Sequence, residues 1–335
     1  MATIGDVARE AGVSRSTVSS VLTGRKFVTP ETRARIEAAI AKLEYSVNTG
    51  ARALATSRTM TFGVVVRFHE AEFSPALATY LVAFSDAARE RGYSVMLLTE
   101  PDGTAAVSRA IAGRLVDGLI LLNVLDGDPR LEPISRSGFP AVLVGMPGDT
   151  RGIDAVDLDF ASAAIMLVDH LADAGHREAM FVRWPEELYE NGSTYATRFE
   201  RAALRRAADR GLRLVPVPVP VGPEEVRETL RAALQDPANP KTLLIHNDAA
   251  VAMLPFVLGD LGLKVPADRS VVSLHSAELA RLYVLTFTAV ESEPTAVAEA
   301  AVDVLCKRVD APQSPAQKRL IAPHLERKSS VTSLA

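Results

Sequence analysis

The stretch from Thr3 to Leu22 constrains the fold more than any other part of the chain. Thr3 is a good N-cap, and Asp6 three residues on completes a capping-box-like start. Ile4, Val7, Ala8 and Ala11 then follow helical spacing. Gly12 permits the left-handed turn that ends this first helix, and Ser14 can cap a second one. Val18, Val21 and Leu22 give the second helix its buried side. Two short helices joined at an angle by a glycine turn form a helix-turn-helix, whose second helix is built to enter a major groove. A third helix is signalled by Thr29 and Pro30 at N-cap and N1. Ile36, Ala39, Ile40 and Leu43 recur behind them at i, i+3, i+4 and i+7.

Charge points the same way. Residues 1–60 hold nine basic side chains against five acidic ones, a net of +4, whereas the whole chain is −4, so the remainder carries −8. A basic module on an acidic body confines phosphate attraction to the helix-turn-helix. Arg15, Ser16, Thr17, Ser19 and Ser20 are the second-helix residues left to face a groove, with Arg25 and Lys26 in the basic turn that follows. Arginine pairs with guanine O6 and N7, and hydroxyls reach bases or phosphates.

The run Thr3 to Leu22, the later Thr32-Arg33-Ala34-Arg35-Ile36, the Leu43-Glu44-Tyr45 ending and Asn48 to Leu54 resemble the lactose-repressor and purine-repressor (LacI) family of bacterial transcription regulators. The resemblance is gap-free over some sixty residues. It implies that Thr3, Arg15, Ser16 and Ser20 lie at the DNA, and that Arg15 and Ser16 choose the operator with help from Ser20. Relatives often carry arginine at the position of Ser20, so serine there removes a common base contact. Residues 46–60 are a linker by composition, yet Asn48 can cap two turns of helix through Ala55 that would form mainly on binding. The resemblance implies that this is a hinge helix, with Asn48 and Arg52 near the DNA. It also implies that Leu54 is a wedge in the minor groove, paired with its dimer mate.

From Thr61 the texture changes to short β-branched runs alternating with amphipathic helices, which argues parallel sheets covered on both faces. The proline-containing stretch from Arg213 suits an edge strand. The expected organisation is an all-α helix-turn-helix headpiece (1–45), a hinge (46–60) and an α/β body (61–335) that binds the effector and dimerises. The body resembles a periplasmic binding protein with two doubly wound parallel-sheet lobes. Lobe 1 is expected over about 61–158 and 291–317, and lobe 2 over about 159–290 and 318–335.

Ligands of such sheets sit beyond the carboxyl ends of the strands. The loops there offer Arg67, Phe73, Asn123, Asp126, Trp184, Asn247, Asp248 and His275, with Arg198 on the helix after Trp184. Planar polar groups for hydroxyl pairs and an aromatic face for a ring suit a sugar. The resemblance implies that Arg198 and the Asn247-Asp248 pair hold an effector. Where sugar-binding relatives usually carry aspartate, this chain reads Ser273-Leu274-His275-Ser276, which leaves open a larger glycoside, a non-sugar or no effector.

Catalysis finds no support. His170 and His176 lack a completing ligand set, Cys306 sits in an Ala- and Val-rich helix, and no phosphate-cradling glycine loop or nucleophile elbow is present. Neither a cofactor nor a metal is expected. The single cysteine fits a reducing compartment, the polar N-terminus leaves no room for a signal peptide, and no apolar run approaches the roughly 20 residues needed to span a bilayer. These features predict a cytoplasmic protein, and the resemblance implies a nucleoid-associated repressor of sugar or glycoside metabolism genes. Its partners would be a double-stranded operator, a small effector and a second copy of itself. The competing readings are a constitutive DNA binder with a degenerate cleft and a solute-binding protein, and the helix-turn-helix speaks against the latter.

Overall fold

The computed structural model describes residues 2–23, 28–45, 58–66, 75–100 and 103–334. The chain divides into two compact units, Met1–Thr59 and Met60–Ala335.

In the first unit α1 (Ile4–Glu10), α2 (Arg15–Thr23) and α3 (Pro30–Lys42) enclose a small core. The capping box at α1 is complete: Thr3 Oγ1 accepts from the Asp6 amide at 3.3 Å, and the Asp6 carboxylate accepts from the Thr3 amide at 2.9 Å. Gly12 ends the helix at φ +66°, a conformation that glycine adopts without a steric penalty. Ser14 Oγ then caps α2 by accepting from the Thr17 amide at 3.1 Å. Thr29 and Pro30 open α3 as N-cap and N1. Val7, Val18 and Ile36 are fully buried and meet Ala8, Ala11, Val21 and Ala39, while Lys42 reaches Glu10 at 2.6 Å to tie α3 to α1.

The body holds two six-stranded sheets, which define its lobes. Lobe 1 is built on β1 (Thr61–Val65), β2 (Ser94–Leu98), β3 (Gly118–Leu121), β4 (Ala141–Val144) and β5 (Asp154–Leu158). Its helices are α4 (Pro75–Glu90), α5 (Gly103–Ala112) and α6 (Leu131–Ser137). Lobe 2 carries α7 (Phe160–Asp173), β6 (Glu178–Arg183), α8 (Glu186–Glu190), α9 (Thr194–Asp209), β7 (Arg213–Pro218) and α10 (Pro223–Gln235). It continues with β8 (Thr242–Ile245), α11 (Asp248–Leu261), β9 (Ser270–His275), α12 (Ala277–Leu282) and β10 (Thr288–Glu291). The chain then returns to lobe 1 through α13 (Pro294–Asp310) and β11 (Lys318–Ile321), and ends in lobe 2 with β12 (Leu325–Glu326). The sheet orders are β11-β5-β4-β3-β1-β2 and β12-β10-β9-β8-β6-β7, parallel throughout except for the β10–β12 pair.

Successive strand residues point to opposite faces. Phe62, Val64 and Val66 therefore join one lobe 1 core with Ile120 and Val304, while Val65, Leu119 and Leu121 join another. Burial on both faces explains why these strands read as unbroken apolar runs. As the prolines imply, β7 lies at a sheet edge.

One boundary has to be corrected. Residues 318–335 were expected in lobe 2 as a block, but β11 pairs in parallel with β5 of lobe 1, Leu320 opposite Asp157. Only from Leu325 does the chain belong to the lobe 2 sheet. A four-residue strand carries no mark of its partner, and the choice follows from Arg308. That guanidinium donates to both Asp154 carboxylate oxygens at 2.8 and 3.0 Å and to the carbonyls of Pro312, Ser314 and Pro315. It thereby folds the preceding loop onto β5. The same strand, β5, was not anticipated, nor were α6, α8 and α12. Among the described residues no helix is long and apolar enough to cross a membrane.

Because the headpiece core is so small, truncating its centre should unfold that unit alone. Ile36→Ala is expected to cost about 2–5 kcal/mol, enough to remove a marginal domain. DNA binding should be lost while the thermal transition of the body, followed by Trp184 fluorescence, stays where it is.

Candidate nucleic-acid interface and interlobe cavity

In the headpiece, Arg15 and Ser16 are exposed at the start of α2. The Arg15 guanidinium lies across α1 at Gly5, where an added Cβ would come within 2.7 Å of Nη2. The hydroxyls are engaged locally. Ser14 Oγ lies 2.7 Å from Ser16 Oγ and 2.8 Å from Thr17 Oγ1, and Ser20 Oγ donates back to the Ser16 carbonyl at 2.8 Å. Thr3 Oγ1 donates to Asp6 at 2.7 Å, and Ser19 is half-buried. Reading bases would require these hydroxyls to exchange short local bonds for DNA partners, whereas Arg15 packs on α1 with its charge near the Asp6 carboxylate. Arg25, Lys26, Asn48, Arg52 and Leu54 lie outside the described residues, as do Arg67 and Phe73 of the body.

In the body, the carboxyl ends of both sheets converge on a cavity of about 600 Å³, within the usual range for small-molecule sites. Of the candidates named from sequence, Asn123, Trp184, Asp248 and His275 are on its wall. Asn247 lies behind the wall, fully buried. Its Oδ1 caps α11 by accepting from the Ala250 amide at 3.1 Å, and its Nδ2 donates to the Val219 carbonyl at 2.8 Å. Arg198 is not on the wall. Its guanidinium pairs with Asp157 and lies over the Phe160 ring, 5.4 Å from the centroid.

Several wall residues escaped the sequence reading, among them Tyr80, Asp157, Phe160, Glu187, Tyr195, Glu225 and His246. Asp157 could have been noticed as a charge inside an apolar strand run. The others carry no local signal, because helices and loops far apart in sequence deliver them. His246 sits at the centre of the aromatic side, stacked on Phe199 at 3.9 Å and edge-on to Trp184 and Tyr195 at 6.3 and 6.0 Å. Burial lowers its pKa to about 3. Burial, with Lys328 nearby, lowers that of His275 to about 4, so both rings are neutral near pH 7. His275 Nδ1 is hydrogen-bonded to Ser273 Oγ at 2.9 Å.

The lobes are joined across the cavity. Leu125 and Ser193 form an antiparallel bridge, the Asp126 amide donates to the Gly192 carbonyl at 2.9 Å, and Thr194 Oγ1 donates to the Val124 carbonyl at 3.0 Å. Gly145 makes room for this crossing, since a Cβ there would lie 2.8 Å from Val124 Cβ and 3.3 Å from Thr194 Oγ1. Behind it, Arg130 is almost completely buried and donates to Asp128 and to the carbonyls of Leu122 and Asn123, which fixes the lobe 1 loop. For Asp128, burial opposes the charged form, but the bonds and charge of Arg130 outweigh it and the pKa is lowered.

A charge link completes the junction, Asp157 of lobe 1 with Arg198 of lobe 2. Burial raises the Asp157 pKa to about 6, partly offset by Arg198. An acid whose folded pKa lies above its unfolded value of about 3.9 takes up a proton on folding. This group therefore favours the folded state increasingly as pH falls from about 6 towards 4. The stability difference between the wild type and Asp157→Asn, measured by urea unfolding from pH 7.5 to 4.5, should shift in favour of the wild type over that window. A flat difference would rule out the raised pKa.

The comparisons with known proteins agree with this architecture. Residues 3–48 match the model for bacterial regulatory proteins of the lacI family, and residues 168–331 match a periplasmic binding protein-like domain. The chain is 30% identical to the catabolite control protein A of Staphylococcus xylosus, over 84% of each chain. It is 28% identical to the ribose operon repressor of Escherichia coli K12, over 98% of this chain and all of the relative. A solved structure of the lac repressor dimer bound to operator and an anti-inducer shares the fold, with a TM-score of 0.80 at 23% identity and 99% of each chain covered. From the three-helix headpiece, the two-lobed body and these matches, this chain belongs to the lacI family of bacterial regulatory proteins, DNA-binding transcriptional repressors rather than enzymes.

Proposed function

We propose that the chain represses genes of sugar or glycoside metabolism by binding a palindromic operator as a homodimer, under the control of a small effector in the interlobe cavity. The observation that carries this reading is the cavity itself, lined on both sides by residues of the two lobes and bounded by bonds that cross between them. A ligand there touches both lobes, so it has differential affinity for their arrangements, and that difference is the coupling energy available to the DNA-binding end. The aromatic wall and neighbouring carboxylates suit the faces and hydroxyls of a sugar ring, in keeping with the ribose operon repressor among the relatives.

Self-association is supported by exposed apolar side chains on adjoining elements. Met96 and Leu97 lie on the edge strand β2, and Val82 on α4. Phe256, Leu282 and Val284 lie at α11 and α12, against which α4 packs. Patches of this kind mark interaction surfaces. With two headpieces in a dimer, Arg15 and Ser16 would read each half-site, and residues 48–55 would fold as the hinge in the minor groove with Leu54 as the wedge.

Selection of bound sequences from random duplex DNA by the full-length chain tests the reading, and a two-fold symmetric site with a deformable central step is expected. An asymmetric consensus or no enrichment would contradict it. On the selected site, Leu54→Ala should lower affinity by about tenfold or more, since unstacking a base step involves a few kcal/mol. Nonspecific DNA, held by phosphate contacts, should be bound almost as before. Equal losses on both DNAs, measured by fluorescence anisotropy at fixed salt, would exclude the wedge role.

A further inference from the structure

The charge of the cavity wall is one-sided. Among the described residues the wall carries the carboxylates of Asp157, Glu187, Glu225 and Asp248 and no lysine or arginine. The described cations nearby are committed elsewhere, Lys328 beside His275 being paired with Glu326 at 3.4 Å. Arg183 lies between Glu186 and Glu200 and over the Tyr189 ring at 4.0 Å, and Arg198 is paired with Asp157. Glu187 and Glu225 form no ion pair among the described residues. A second observation marks the same wall as built for a ligand. Trp184 and His246 are 6% and 2% exposed, and Trp184 Nε1 and His246 Nδ1 have no hydrogen-bond partner among the described residues. Buried polar atoms are almost always satisfied, so unpartnered atoms on two wall side chains leave hydrogen bonds that a slight turn of either ring would offer to an occupant.

We propose that this cavity selects its effector by charge, admitting neutral or amine-bearing molecules and rejecting phosphorylated or carboxylated ones. The inference rests on the reading of the cavity as an effector site and adds the chemical class. A phosphate or carboxylate entering would lose its hydration, meet carboxylates of like sign and find no guanidinium or ammonium among the described wall residues to receive it. Hydroxyls and ammonium groups donate to those carboxylates, and an aromatic face beside them attracts a cation as well.

Trp184 is the sole tryptophan, so collisional quenching of the full-length protein reads the potential at this wall without knowledge of the ligand. Quenching constants for neutral acrylamide, caesium and iodide are measured at matched ionic strength, each normalised to a free tryptophan amide. Caesium should exceed iodide by at least about twofold, because a site potential of a few kT concentrates one ion and depletes the other. In Glu187→Gln/Glu225→Gln the ratio should fall towards one with the acrylamide constant unchanged. Iodide equal to or above caesium in the wild type, a comparison that stands whatever the variant's stability, would overturn charge selection and leave the effector site standing. Failure of acrylamide to quench would overturn the effector site itself, and this inference with it.

Discussion

Strand β5 and its two buried carboxylates hold the body together. Asp154 and Asp157 stand in a strand whose five residues are all buried, and neither would be tolerated there uncompensated. Arg308 of α13 answers the first and Arg198 of α9 the second. One pair brings the returning chain onto lobe 1 and lets β11 add to the sheet beside β5. The other joins lobe 1 to lobe 2. Buried ion pairs contribute little net stability compared with well-packed apolar groups, but breaking one is costly. Here they act as registry devices, determining which segment docks on β5 and how the second lobe meets it.

The position of these pairs relates architecture to response. Asp157 is on the cavity wall and in the interlobe link at once, so any ligand that donates to it competes with Arg198 for the carboxylate. The main-chain bridge at Leu125 and Ser193, supported from behind by Arg130, forms a second link on the same cavity. Two discrete contacts of this kind are easier to bias than a continuous packed interface, because each is either made or broken. An occupant that strengthens one and weakens the other changes the balance between lobe arrangements through local chemistry alone.

The headpiece works by a different economy of contacts. Its helices are specified locally by caps at Thr3, Ser14 and Thr29, and its hydroxyls satisfy one another along α2. Base contacts made by these hydroxyls would exchange bonds already made, which would favour discrimination over raw affinity, while the excess positive charge would supply attraction that any sequence of DNA feels.

The degree to which the sequence could be read follows from the range of the forces. The three headpiece helices, the strand-helix alternation and the edge position of β7 were legible, because capping side chains, periodicity and proline act within a few residues. Strand β5 was not, since its acids argue against a buried strand until their arginine partners, 41 and 154 residues away, are in place. Short α8 and α12 carry too little periodicity to stand out. Asn247 looked like a ligand group because it is polar and beside a strand end, and the fold turned it inward as a helix cap. By itself the sequence determined the helix-turn-helix, the basic-headed charge division and the α/β class of the body. Only the tertiary structure decided which sheet receives residues 318–321, which side chains meet in the cavity and that its described wall is anionic. Those outcomes depend on pairings between distant segments, where burial and charge compensation, rather than local propensity, select the partner.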